Sequence, residues 1–267
     1  MNLGEIFKEG LTYPTNNWVT LIVLGVILTI ISLIGQARAF TDNGAIIIIA
    51  AIVSFILAIF VVGYKLSIIS EGIKRSAEIP LLDVSNFIDG IKSVIVSIVY
   101  YIIPAIIVTI VTVAISFPVG INDLNKYTPS LQAAALNPAS ANQIFAIIPP
   151  DFLSKLFTAT MVVVVIAAIL FFIFSIFALV AQGRLAETGS IKEAVSIGSV
   201  IGKVGEIGWL KIIAFLIIFA FIAFFILFVA GLVSQIPFIG VIISSLIFVP
   251  FLFLFQYYSI GLLYNSE

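Results

Sequence analysis

The chain has 267 residues, 62% of them hydrophobic and 9% charged, with a formal net charge of −1. A soluble domain carries about 25% charged residues to cover its surface, so lipid is the solvent for most of this chain. The missing basic field argues against nucleic acid as a partner. With no Cys and no His, disulfides, thiolate chemistry, the usual general base and the commonest metal ligand are all absent, and no cofactor or metal is expected.

Residues 1–17 place Leu3, Ile6, Phe7 and Leu11 at helical spacing, with Asn2 and Glu5 positioned as a cap. That suits a short interfacial helix, and it suits a frayed terminus equally well. Tyr13-Pro14 ends the segment and Trp18 marks a membrane boundary. The first span is 18–35. Ala37-Arg38-Ala39 has the small residues of a cleavage site, but Glu5, Lys8 and Glu9 do not make a basic leader. The apolar run is also longer than the roughly 7–15 residues of a signal core, so the span is expected to be retained. Gln36 to Gly44 is a polar turn, and 45–64 is the second span, extending as far as Ser70.

A stretch from Gly63 to Pro104 organises the rest. It runs from the end of an apolar segment through Glu71, Lys74, Arg75, Glu78 and Pro80 into an amphipathic turn, then directly into another apolar segment. Over 84–93, continuing to Ile95, Val84, Phe87, Ile88, Ile91, Val94 and Ile95 share one helical face, and Ser85, Asp89, Lys92 and Ser93 the other. The expected structure is an interfacial helix capped by Asp83 or Ser85, followed by a third span over 93–117 with a kink at Pro104. Residues 118–150 hold Pro118, Pro129, Pro138, Pro149 and Pro150 and read as an external Pro-rich loop. Helical turns are expected only at 130–137.

The fourth span is 152–183. Ser190 and Glu193 then form a capping box opening a second interfacial helix, with Ile191, Ala194, Val195, Gly198 and Ile201 on its apolar stripe. Gly198 and Gly202 have close-packing spacing but lie in a polar segment, which argues against a helix-dimer role. No charge occurs between Ile212 and Ser266, too long for one span, and the sequence from Gln235 to Gly240 supplies the break. The fifth span is therefore 209–234. The sixth is 238–258, reaching Tyr264, with a kink at Pro250.

Lys8, Lys65, Lys74, Arg75, Lys92, Arg184, Lys192, Lys203 and Lys211 fall on one side of this layout, and Arg38, Lys126 and Lys155 on the other. That bias puts both termini in the cytoplasm. The expected fold is all-α: a single polytopic domain over 1–267 with six membrane helices and two interfacial helices. The two helix, interfacial helix, helix units have the same orientation, consistent with a parallel repeat or with ordinary hydropathic self-similarity.

Tyr13-Pro14 with Asn17-Trp18, Gly63-Tyr64, Pro80, Phe87, Asp89-Gly90-Ile91-Lys92, Tyr100-Tyr101, Pro104, and Gln256-Tyr257-Tyr258 with Gly261 and Tyr264 together resemble an archaeal domain-of-unknown-function family of integral membrane proteins. The layout is more distantly similar to the membrane domain fused to some glycerophosphodiester phosphodiesterases. These resemblances imply a polytopic membrane protein without an assigned activity or assigned site residues.

No Asp, Glu, Lys or Arg falls mid-span, which argues against proton relays and charge-coupled transport. Two sets of candidate residues remain. Lys74, Arg75, Lys92, Arg184, Lys192, Lys203 and Lys211 can contact anionic lipid headgroups, but acids are interleaved with them and plain positive-inside topology accounts for them equally. Tyr101, Thr109 and Gln256 are polar groups near the proline kinks that can line a midplane cavity. No catalytic residues are expected. The role expected is a scaffold or accessory subunit in membrane or envelope organisation, and the rival is a small permease or lipid-handling transporter. The expected partners are membrane lipids, with another membrane protein or a second copy of the chain.

Overall fold

The computed structural model describes residues 1–135, 150–236 and 239–266, and among them every regular element is helical. In chain order these are α1 (Leu3–Thr12), α2 (Trp18–Gly35), α3 (Gly44–Lys74), α4 (Ser85–Ala135), α5 (Pro150–Thr188), α6 (Ile191–Ala194), α7 (Ile197–Ile207), α8 (Trp209–Ser234) and α9 (Ile239–Tyr264). By length and composition, α2, α3, the Ser85–Ile115 part of α4, α5, α8 and α9 can each cross a membrane.

Local chemistry sets most boundaries. Asn2 Oδ1 accepts from the Glu5 amide at 2.8 Å while the Asn2 amide donates to Glu5 Oε2 at 3.1 Å, the expected reciprocal cap of α1. Asn17 caps α2 through the Thr20 amide, and Asn43 caps α3 through the amides of Ala45 and Ile46. At the end of α3 the Ser76 amide reaches the Glu71 carbonyl at 2.9 Å and the Arg75 amide reaches Gly72 at 3.2 Å. This two-bond helix stop requires a left-handed residue, usually Gly. Here it is Arg75, at φ 54°.

Helices α3, α4 and α5 extend beyond their expected ends, α5 reaching Thr188 instead of stopping at 183. Helix α3 runs on to Lys74 because nothing between Tyr64 and Lys74 breaks it. Helix α4 begins at Ser85 and continues without interruption through Pro104, Pro118 and Pro129 to Ala135, so residues 85–93 of the expected interfacial segment form its first turns. The loop expected from Pro118 therefore does not begin there. Each proline removes one ladder bond, and the helix formers Leu131, Gln132, Ala133, Ala134 and Ala135 favour helix after Pro129. The rest of that segment, 136–149, lies outside the described residues. The second interfacial segment is helical but divided into α6 and α7 at Val195 and Ser196, with the Ser190 hydroxyl accepting from the Glu193 amide.

The chain divides into two compact units, Met1–Ile98 with Ile176–Glu267, and Val99–Ser175. The first unit is built on close backbone contacts. A Cβ at Gly72 would meet the Tyr258 carbonyl, and one at Gly261 would meet the Ile69 carbonyl, so α3 and α9 touch backbone to backbone. Gly63 lies in the same way against the Asn86 carbonyl of α4, and Gly90 against the Ile59 carbonyl of α3. Small residues at such crossings are how membrane helices gain van der Waals contact without a hydrophobic driving force.

Helix α1 packs onto α9 and α8 of this unit. Ile6 is fully buried, and Phe7 stacks on Phe215 at 5.2 Å and meets Phe255 at 6.2 Å. Within α9, Pro250 offers no amide to the Leu246 carbonyl, and the chain widens to a π turn over Ser244–Phe248 just before it. That carbonyl lies against Gly25 of α2. In the second unit Tyr101 stacks on Phe171 at 6.4 Å, and Phe152 and Ala159 are buried.

Candidate functional site

The first turns of α4 are built inside out. Ile88, Ile91 and Ile95 of α4, like Leu81 and Val84 of the loop before it, point away from the protein, with Leu81 78% and Val84 76% exposed. Asn86 and Ser93, on the opposite face, are buried at 2% and 0% exposure. In water this arrangement would leave apolar area wet and desolvate amides and hydroxyls. It is the pattern of a helix facing lipid, with its polar groups turned toward its neighbours.

Those polar groups form a seam. Asn86 Nδ2 donates to Ser67 Oγ of α3 at 2.9 Å, and Asn86 Oδ1 accepts from the Asp83 amide at 2.7 Å. One face further along, Ser93 Oγ donates to Gln182 Oε1 of α5 at 2.7 Å. Gln182 Nε2 returns bonds to the Ser93 carbonyl at 3.1 Å and to Ser97 Oγ at 3.0 Å. Tyr64 closes the loop side, its hydroxyl donating to the Pro80 carbonyl at 2.8 Å. The loop is tied to α1 as well, through Tyr13 Oη to the Glu78 carbonyl at 2.9 Å and Asn16 Nδ2 to the Ala77 carbonyl at 3.0 Å. Burial, and next to it Tyr64, raises the Tyr13 pKa above its ordinary value, so this phenol stays a donor.

Beside the seam lies an open cavity of about 280 Å³, walled by Ser67, Ser70, Glu71, Lys74, Pro80 and Asp89, with Leu185 and Gly189 behind them. It holds two carboxylates and one ammonium. Lys74 pairs with Glu71 at 3.1 Å, and Asp89 pairs with Lys92 at 2.9 Å. Asp83, at the loop end, accepts from the Ser85 hydroxyl and the Val84 amide, and these bonds hold its pKa below the usual carboxylate range.

The expected headgroup-binding residues all lie in the first unit, and most are engaged within the chain. Arg75 meets Glu9 at 2.7 Å, and that hydrogen bond raises its pKa further. Arg184 meets Glu193 at 3.4 Å. Lys203 meets Glu206 at 3.3 Å and sits 5.0 Å over the Tyr264 ring. Lys211 reaches the Ser266 carbonyl, whereas Lys192 is exposed on α6. The expected midplane set is not described as one group. Tyr101 and Thr109 belong to the second unit, where Thr109 donates to its own Ala105 carbonyl at 2.8 Å, and Gln256 is half-buried on α9 of the first.

Asn86, Gln182 and Ser97 were not singled out by the sequence reading, and Ser93 was assigned to a water-facing side. A signal existed. Asn86, Gly90, Ser93 and Ser97 recur at helical spacing and are small or uncharged, whereas a wet face would carry charge. Gly198 and Gly202, by contrast, have no neighbouring atom within 4 Å where a Cβ would stand. Among the described residues no group of three acidic residues is placed to hold a metal ion.

No curated protein and no solved structure shows significant similarity to the chain. A family model described as a protein of unknown function, DUF4013, matches residues 46–235, a range that holds all but the first two residues of α3, the seam and the cavity. The chain is therefore a member of the DUF4013 family, and the six membrane-capable helices among the described residues make it an integral membrane protein.

Proposed function

We propose that the protein is a multi-pass scaffold or accessory subunit of the cell membrane, with both termini in the cytoplasm and no catalytic activity of its own. One observation carries this reading. Several polar side chains within the membrane-capable helices bond to a neighbouring helix, as in Ser93–Gln182–Ser97 and Ser234–Ser244–Ala230, and others, such as Thr112, bond to their own backbone. The bonds between helices hold those helices together, and groups engaged in either way do not present a nucleophile beside a base or an ionised residue along a path. Apart from Arg38, the basic residues of the first unit belong to α1, the ends of α3, α5 and α8 next to the 76–84 loop and the α6–α7 segment, the start of α4, and α6 and α7, which supports the cytoplasmic assignment of that end.

Purified protein in proteoliposomes, assayed for flux of hydrophilic solutes and for hydrolysis of glycerophosphodiesters and phospholipids, tests the role. Neither activity is expected. Saturable flux or hydrolysis that a Gln182→Leu variant abolishes would overturn it. Topology is tested with single cysteines replacing Lys8 and Asn122 in this cysteine-free chain: the first should react from the cytoplasm and the second from outside. The cavity at Glu71 and Asp89 favours a second reading, the handling of membrane amphiphiles.

A further inference from the structure

We propose that the cavity between α3, the 76–84 loop and α4 binds the ammonium-bearing headgroup of a membrane phospholipid. The inference rests on the membrane placement of the protein but not on its scaffold role. Three observations converge on this cavity. The first is size: about 280 Å³ is close to the lower end of small-ligand sites, roughly 300 Å³, and suits a headgroup better than a whole lipid.

The second is charge. Glu71 and Asp89 face the cavity from two different helices, and Lys74 is the cation on its wall. The Lys74 side chain is 63% exposed, whereas Glu71 is only 18% exposed, so the ammonium is free to swing outward while the carboxylate stays at the wall. Because Glu71 is paired with Lys74 and Asp89 with Lys92, a zwitterionic headgroup fits by exchange, its ammonium meeting the two carboxylates and its phosphate the displaced lysines. The Ser70 hydroxyl, which makes no hydrogen bond to another described residue, adds a group able to turn to either end of the ligand.

The third is the rim. Pro80 and Asp89 line the cavity, and each has an outward apolar neighbour, Leu81 at 78% and Ile88 at 59% exposure. Val84, between them in sequence, is 76% exposed. A polar cavity edged by side chains that need hydrocarbon is an amphiphile's shape: the headgroup goes in and the acyl chains lie along the Leu81, Val84, Ile88 and Ile91 stripe. A soluble ammonium compound would have no use for that stripe.

Native mass spectrometry and nanodisc titration would test this with three probes: phosphatidylethanolamine, phosphatidylglycerol and soluble phosphoethanolamine. Wild-type protein should retain phosphatidylethanolamine over phosphatidylglycerol. Asp89→Asn combined with Glu71→Gln should lower that preference by about five- to tenfold, the scale of losing charge-assisted bonds in a partly open site. Ser70→Leu, which fills the cavity without touching a charge, should do the same if the charge variant is poorly folded. Leu81→Ser with Val84→Ser should weaken lipid binding and leave phosphoethanolamine unaffected.

Equal retention of the two lipids, or a preference unchanged by both the charge and the filling variants, would overturn the proposal. So would soluble phosphoethanolamine binding as tightly as the lipid, which would assign the cavity to a soluble ligand. Carbonate extraction separates these failures from failure of the membrane placement, because a protein that stays in the membrane without lipid preference has lost only the site.

Discussion

Replacing Gln182 by Leu isolates the seam. Gln182 is 8% exposed and its amide makes three hydrogen bonds to α4, at 2.7, 3.1 and 3.0 Å. Leu has nearly the same volume, so packing is kept and only polarity is lost. Interhelical hydrogen bonds in membrane proteins are worth about 0.6 kcal/mol on average and at most about 1.7. Ser97 Oγ already donates to the Ser93 carbonyl at 2.9 Å and is left satisfied. Ser93, fully buried, loses its acceptor and must turn to the carbonyl one turn back. The expected loss is about 1–2 kcal/mol in all.

Removing the whole network behaves differently. With Ser93→Ala and Ser97→Ala added, no polar group is stranded, and stability should return to within about 0.5 kcal/mol of wild type. Equilibrium unfolding in detergent micelles, followed by tryptophan fluorescence, measures both variants. If Gln182→Leu unfolds with the wild type, or if the triple variant is less stable than the single one, the seam does not hold α4 to α5.

Other expectations follow from individual contacts. Gly63→Ala places a Cβ on the Asn86 backbone carbonyl, which cannot rotate away, and should cost about 2–3 kcal/mol in the same unfolding assay. Gly198→Ala, in open space, should stabilise by a few tenths to about 1 kcal/mol through helix propensity. Arg75→Gly relieves a left-handed conformation worth about 1 kcal/mol, while losing a solvent-screened ion pair to Glu9. The net change should be neutral to stabilising, whereas Glu9→Gln should only destabilise. The pKa of Asp83 is depressed in the folded state, so its contribution is present above the unfolded-state value and is lost as pH falls through the folded one. An acid unfolding titration of Asp83→Asn should lack that increment.

The helices were legible in the sequence because apolar length and capping chemistry are local. Asn2 with Glu5 and the limits of α8 came directly from such signals. The course of α4 past Pro118 and Pro129 did not, since each proline removes one ladder bond and weakens a helix without necessarily ending it. The orientation of residues 84–93 was the larger difference. A stripe of Ile opposite a stripe of Ser and Asp has the same periodicity whether the solvent is water or lipid. Only the neighbours decide which face turns inward, and Ser67 and Gln182 are 19 and 89 residues distant in sequence from their partners Asn86 and Ser93. Likewise the Glu71 and Asp89 pair reads as scattered surface charge until α3 and α4 bring both to one cavity.

Spin labels at single cysteines replacing Ile88, Ile91 and Ile95 in reconstituted bilayers test the inside-out packing of α4 most directly. Power-saturation accessibility should show all three in contact with lipid-dissolved oxygen and shielded from a water-soluble nickel chelate. Strong relaxation by the nickel chelate at these positions would mean that the Ile stripe faces water, and the polar seam could then not be the buried interior of a membrane-embedded unit.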